Sequence, residues 1–176
     1  MKKIILVAIM ILSVSLQAKT KEVIDAEVQV ALKTLSATVM GSDNFIEKNA
    51  KGVLVIPNIV KAGIGVGGEY GEGALLEGNT TINYYSSVSA SVGFQFGVEK
   101  KTMIYVFLTE KALNDFKNSN GWKGGVGAGI TLATFGATED ISNININKPI
   151  LLFAIGKKGL MYNLTVEGTK LTKIVR

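Results

Sequence analysis

Between Thr20 and Met40 the apolar positions recur every three or four residues. Ile24, Val28, Ala31, Leu32, Leu35 and Val39 fall on one side of a helix, and Lys21, Glu22, Asp25, Gln29, Lys33 and Ser36 on the other. The spacing predicts an amphipathic helix ended by Gly41. Ser42 or Asp43 then caps a short second helix to about Asn49. From Gly52 the period drops to two. Gly52–Ile56 reads as a strand stopped by Pro57, and Ala62–Val66 opens a further alternation of small and branched residues. Across Tyr84–Val98, Val88, Ala90, Val92, Phe94 and Phe96 alternate with Ser87, Ser89, Ser91, Gly93, Gln95 and Gly97. Thr102–Leu108 predicts a buried strand. Thr109 caps a helix over Glu110–Lys117 with Leu113 and Phe116 inward. Gly125–Ile130 repeats the pattern of glycine on one face. The polar stretch Thr138–Lys148 reads as loop or edge strand. Ile150–Ile155 and Leu160–Glu167 form a hairpin across Gly156-Lys157-Lys158-Gly159, and Thr169–Val175 supplies a last strand.

Seven to nine strands, three helices and no strand–helix–strand rhythm argue against a doubly wound parallel fold. The expected class is α+β: a strongly curved, mainly antiparallel sheet or partly closed barrel, with the N-terminal amphipathic helix and one or two short helices packed on it. The apolar stripe of the first helix packs on that core. Its lysines leave open a helix lying in a membrane interface instead. No linker interrupts the chain, so residues 19–176 read as a single domain, helical over 19–49 and β-rich over 50–176.

Residues 1–18 have another character. Lys2 and Lys3 precede the apolar run Ile4–Leu16, broken only by Ser13 and Ser15, and Ala18 closes it. This is the layout of a cleavable secretory signal peptide, the alternative being an uncleaved anchor, for which the run is short of a bilayer span of about 20 residues. Export with no cysteine excludes both disulfides and a lipid-modified N-terminus, so the expected location is periplasmic or secreted. The absence of histidine excludes a Ser–His–Asp triad, and with the absence of cysteine it excludes the usual zinc sites. Removing Lys2 and Lys3 takes the formal charge from +5 to +3. That is too little to mark a nucleic-acid binder and sufficient for weak attraction to anionic membrane surfaces.

The stretch KAGIGVGGEYGEGALL, Lys61–Leu76, contains G-x-G-x-x-G at Gly63, Gly65 and Gly68. A dinucleotide site needs a helix opening at the last glycine. Gly71, Gly73 and Gly78 disfavour that helix by about 1 kcal/mol each, and Glu69 and Glu72 place negative charge where phosphates would sit. A nucleotide is excluded as ligand. At period two, Gly63, Gly65 and Gly67 make one face of a strand running into a glycine-rich turn around Tyr70. Such a face admits a close backbone approach.

On these residues the chain resembles the SYLF domain family. The similarity rests on Pro57, Lys61-Ala62-Gly63 and Gly67-Gly68-Glu69-Tyr70-Gly71-Glu72-Gly73. It continues through Ser91-Val92-Gly93, Gln95, Gly97 and Glu110-Lys111-Ala112-Leu113, then Lys158-Gly159-Leu160 and Glu167-Gly168. The sequence departs from the family at Gly127, where an aspartate is usual, and at Asn163, where glycine is common. The resemblance implies lipid binding without catalysis. Eukaryotic members bind phosphoinositide membranes, some fungal members bind actin, and bacterial members are exported. For an exported chain this carries over as binding to anionic phospholipid in the envelope.

The candidate lipid-binding residues are Lys61, Lys100, Lys101, Lys157 and Lys158. Pro57, Lys61, Gly63, Gly67, Gly68, Tyr70, Gly71 and Gly73 are expected to be structural, as the family's signature positions. No cofactor and no metal is expected. The rival readings are an envelope module that binds a protein partner without lipid contact, and an enzyme using the paired acids Glu69 and Glu72 or Glu139 and Asp140.

Overall fold

A computed structural model describes residues 18–93, 99–119, 121–123, 129–133, 141, 148–157, 159–161 and 168–176. Helix α1 spans Lys21–Thr38, with Thr20 at its N-cap accepting a hydrogen bond from the Val23 amide. Helix α2 spans Ser42–Asn49. Neither Ser42 nor Asp43 caps it. Gly41 holds that position at φ 77°, and Ser42 is the first helical residue, buried with its hydroxyl unpartnered. Strands β1 (Gly52–Glu77), β2 (Thr80–Gly93) and β3 (Glu99–Phe107) lead to helix α3 (Glu110–Lys117), which Thr109 caps as expected. Five short strands follow: β4 (Trp122–Lys123), β5 (Ile130–Leu132), β6 (Ile150–Gly156), β7 (Gly159–Leu160) and β8 (Lys170–Ile174). They form one curled sheet in the order β4-β8-β2-β1-β3-β6-β5, with β7 on β6. Every pairing is antiparallel except β5 with β6. The expected α+β class is the observed one. The segments Phe94–Val98 and Gly125–Ala128, nearly all of Thr138–Lys148 and most of the second hairpin arm lie outside the described residues.

Pro57 does not stop the first strand. The register with β3 shifts between Ile56 and Ile59, so Pro57 and Asn58 bulge out of the ladder and the strand runs on. A proline has no amide hydrogen to give a ladder, and the bulge is where that loss is tolerated. Asn58 takes φ 52° there. The leading half of β1 pairs with β3 and the trailing half with β2. The two halves also meet each other. A Cβ at Gly73 would overlap the Val55 carbonyl oxygen, one at Gly71 would lie 2.7 Å from Ile59 Cγ1, and one at Gly52 would lie 3.3 Å from the Leu76 carbonyl oxygen. These contacts run in opposite order along the two halves, so β1 doubles back beside itself. Gly71 and Gly73 are required by that approach. Tyr70 therefore lies within a strand, not in a turn.

Two cores result, one on each face of the sheet. On the first, Ile24, Val28, Ala31 and Leu35 of α1 cover Val53, Val55, Ala74, Leu76, Ile104, Val106, Leu151 and Phe153. On the second, Leu113 and Phe116 of α3 cover Leu54, Ile56, Leu75, Tyr85, Tyr105, Phe107 and Leu152. A fully buried branched side chain contributes about 1.5–3 kcal/mol, so the α1 stripe alone suffices to hold that helix on the sheet. Of the two readings for the first helix, packing on the core is the one observed. No described helix is long and apolar enough to cross a membrane.

Candidate functional site

The β1 bulge opens a groove. Where α1 passes over Pro57 and Asn58, it leaves a cavity of about 260 Å³. Glu27, Val30, Ala31 and Thr34 of α1 form one wall. Lys100, Lys101 and Thr102 at the start of β3, with Ile155, Gly156 and Lys157 at the end of β6, form the other. Three of the five candidate lysines and Pro57 thus converge from sequence positions far apart, because the β3–β6 register places Thr102 opposite Ile155.

The charges in the groove are not equivalent. Glu27 is engaged by Lys19 Nζ at 2.6 Å. Lys101 Nζ lies 2.7 Å from Glu69 Oε2, with its side chain only 10 % exposed, and Ser89 Oγ donates to the same oxygen at 3.0 Å. Lys101, a lipid-binding candidate, is thus largely buried in an ion pair rather than free at the surface. Burial makes the ion pair costly to break, since either partner alone would be an uncompensated charge. Lys100 and Lys157 are exposed and have no carboxylate partner among the described residues. Val30, 64 % exposed, adds an apolar rim. The groove thus offers two free ammonium groups beside a small apolar surface. A second cavity, about 430 Å³, is larger, but Asp43 and Glu47 line it and give it the wrong sign for an anion.

The remaining candidates lie elsewhere. Lys61 is half-buried at the end of the leading half of β1, opposite Glu99, and does not line the groove. Lys158 lies outside the described residues. Gly63 and Gly67 belong to β1, and Gly68 is exposed with only the Ser89 carbonyl oxygen near it, 3.8 Å from a notional Cβ.

Glu69 and Glu72 are not a carboxylate pair. Three residues apart on a strand, they face opposite sides of the sheet. Glu72 is 2 % exposed. Its Oε1 accepts from Tyr70 Oη at 2.6 Å and from Arg176 Nη2 at 2.5 Å, and its Oε2 accepts from the Lys19 amide at 3.2 Å. Burial first, then the hydrogen bond to Glu72 and its charge, push the Tyr70 hydroxyl up to about 12. A second tie crosses from α1 to β2: Asp25 accepts from Thr81 Oγ1 at 3.0 Å and from Tyr84 Oη at 2.9 Å. Sequence reading missed both. Strand parity was available to separate the two glutamates, whereas nothing local linked Glu72 to Arg176 or Asp25 to Tyr84. The other acidic pair, Glu139 and Asp140, lies outside the described residues. Among the described residues no three His, Cys, Asp or Glu side chains gather to hold a metal ion.

Residues 88–174 match the family model described as Ysc84, Las17-binding protein actin regulator. The match takes in β3, α3 and β6, hence Lys100, Lys101 and Lys157, and begins after the glycine-rich stretch of β1. No curated protein matches the chain.

Proposed function

From the premise that the chain belongs to the SYLF (Ysc84) family through residues 88–174, we propose that it is an exported, non-catalytic lipid-binding module that associates with anionic phospholipid in the bacterial envelope. The family is associated with lipid binding and actin regulation. The observation that carries the reading to a place on this molecule is the groove at the β1 bulge. There Lys100 and Lys157 have no carboxylate partner among the described residues and stand beside exposed Val30. A lipid phosphate between the two ammonium groups, with acyl-chain carbons against Val30, uses both properties. The leader-like residues 1–18 support export, and the lack of cysteine directs the mature chain to a periplasmic or secreted location without a lipid anchor of its own.

The test is flotation of residues 19–176 with vesicles of phosphatidylcholine alone and of phosphatidylcholine with phosphatidylglycerol. Binding is expected only to the anionic vesicles and should fall with salt. Each lysine near such a surface is worth about 1 kcal/mol, so Lys100→Ala with Lys157→Ala should lower partitioning about 30-fold. Equal binding to both vesicle types, or no effect of the double substitution, rejects the groove as the docking site. Absence of vesicle binding together with crosslinking to an envelope protein favours the protein-interaction module instead.

A further inference from the structure

We propose that Glu72 is the receptor for a new N-terminus: cleavage after Ala18 creates an α-ammonium on Lys19, and this buried carboxylate binds it. The inference rests on the export reading above, and the geometry is independent of that reading. Lys19 N lies 3.2 Å from Glu72 Oε2. The two oxygens of Glu72 are unequally served. Oε1 takes both Tyr70 and Arg176, whereas Oε2 accepts only the Lys19 nitrogen among the described residues. Ala18 is exposed and Lys19 half-buried, so the boundary between them coincides with entry into the fold. Thr20 caps α1, and α1 is docked through Ile24, so the Lys19 nitrogen is held in place. The Lys19 side chain is occupied by Glu27 at 2.6 Å and does not compete for Glu72.

In the unprocessed chain that nitrogen is a neutral amide with one hydrogen. Hydrolysis of the Ala18–Lys19 bond by an export-pathway endopeptidase consumes one water. The carboxylate leaves on Ala18, and Lys19 keeps an amine that takes a proton. The same atom then presents three N–H groups and a positive charge. Glu72, paired on one side with Arg176, acquires a second cation on its underserved oxygen. The amide already donates to a charged acceptor, so what cleavage adds is attraction between opposite charges, and that gain is greatest where water is excluded. One carboxylate in the trailing half of β1 would then tie the new N-terminus to Arg176. A leader left in place, or trimmed at another bond, denies it the charge.

The gain has a defined pH dependence. The groups around the ammonium are Glu72, Tyr70, Arg176, Glu27 and the Lys19 side chain. Pairing with Glu72 raises the folded pKa of the α-amine above its ordinary value of about 8. The stabilisation is therefore fully present below pH 8 and is lost as pH rises through the raised folded value.

The test compares chains beginning at Lys19 and at Gln17, each released from a fusion that leaves no scar, each with Glu72 or Glu72→Gln. At pH 6.5 the Lys19 chain should melt about 3 °C above the Gln17 chain, and the difference should vanish in the Glu72→Gln pair. Equal melting of the two Glu72 chains, or the same difference in both pairs, overturns the proposal. Should Glu72→Gln fail to fold, NMR titration of the lysine-labelled Glu72 chain decides. A Lys19 α-amine titrating clearly above 8 supports the pairing, and one titrating at 8 or below overturns it. The intact mass of protein recovered from an exporting cell should correspond to a first residue at Lys19, and any other start overturns the processing step. Vesicle flotation of Glu72→Gln separates the two readings, because loss of the N-terminal lock leaves Lys100 and Lys157 in place.

Discussion

The two faces of the sheet are covered in different ways. On one lies α1, 18 residues long, buried through a narrow apolar stripe and tied at its start by polar contacts: Asp25 to Thr81 and Tyr84, and the Lys19 backbone to Glu72. On the other lies α3, only eight residues, too short to be stable in isolation. It is held by an aromatic cluster. Phe116 stacks against Tyr85 and Phe107 with centroids 4.8 and 5.0 Å apart, and meets Trp122 edge-on at 5.7 Å. At its rim Lys117 pairs with Glu77 at 2.6 Å. A short helix over aromatics seals its face. A long helix buried along its stripe from Ile24 to Val39 leaves a gap on its flank at the bulge, and that gap is the groove. The groove is thus a by-product of how the α1 face is covered.

The sharpest way to break this contrast is Phe116→Ala. It removes the hub of the aromatic face and should cost about 3–5 kcal/mol in urea unfolding, with loss of cooperative folding as the extreme outcome. A cost near 1 kcal/mol would show that α3 is not held by its aromatics. Asp25→Ala should cost less, about 1–2 kcal/mol, because Thr81 and Tyr84 are only half-buried and can turn to water. Its diagnostic reading is hydrogen exchange: amides of α1 should exchange faster while those of α3 stay unchanged.

Alkaline pH tests the same polar attachments. Burial, then the hydrogen bond and negative charge of Asp25, push the Tyr84 hydroxyl up to about 12, and Tyr70 is raised likewise beside Glu72. A folded pKa above the ordinary value of 10 means that the folded state keeps protons the unfolded chain releases. Stability should be flat up to pH 10 with respect to these groups and fall as pH rises from 10 through 12. Tyr84→Phe should make that fall shallower. The smallest expected effect is Tyr85→Phe. The Tyr85 hydroxyl is buried on the aromatic face with no hydrogen-bond partner among the described residues, so its removal should leave stability unchanged or raise it by up to about 1 kcal/mol. A loss above that would reveal a polar contact on the face described as sealed by rings.

Much of this architecture was legible along the chain. The α1 stripe, the Thr109 cap with Leu113 and Phe116, the β3 run and the Lys157 turn are local patterns, and local physics decides them. What failed depended on neighbours distant in sequence. Pro57 reads as a stop only if the ladder must be continuous, and a bulge removes that requirement. On β2 the alternation leaves open which face turns inward, and the fold decides it against the valine. Val88 is 49 % exposed while Ser87 is buried opposite Gly71, because where the strand pair curls tightly only small side chains fit inside. Lys101 reads as a surface lysine until Glu69 is brought against it. Of the proposed lysine set, the fold gathers Lys100 and Lys157 as free cations, and no pattern in the sequence distinguished them from Lys101.

The position of β8 has a consequence for how the molecule is made. Residues 170–174 form the strand that closes the outer edge of β2, with Ser86 Oγ reaching the Thr172 carbonyl 86 residues further along the chain. β2 can pair with β1 across the two-residue turn after Glu77 as soon as both have been synthesised. Its other edge must wait for residues 170–174 to emerge. Until then that edge offers a row of unpaired amides and carbonyls to any extended peptide nearby. The nascent chain therefore needs shielding longest at its β2 edge, and truncation by a handful of C-terminal residues would make that temporary exposure permanent.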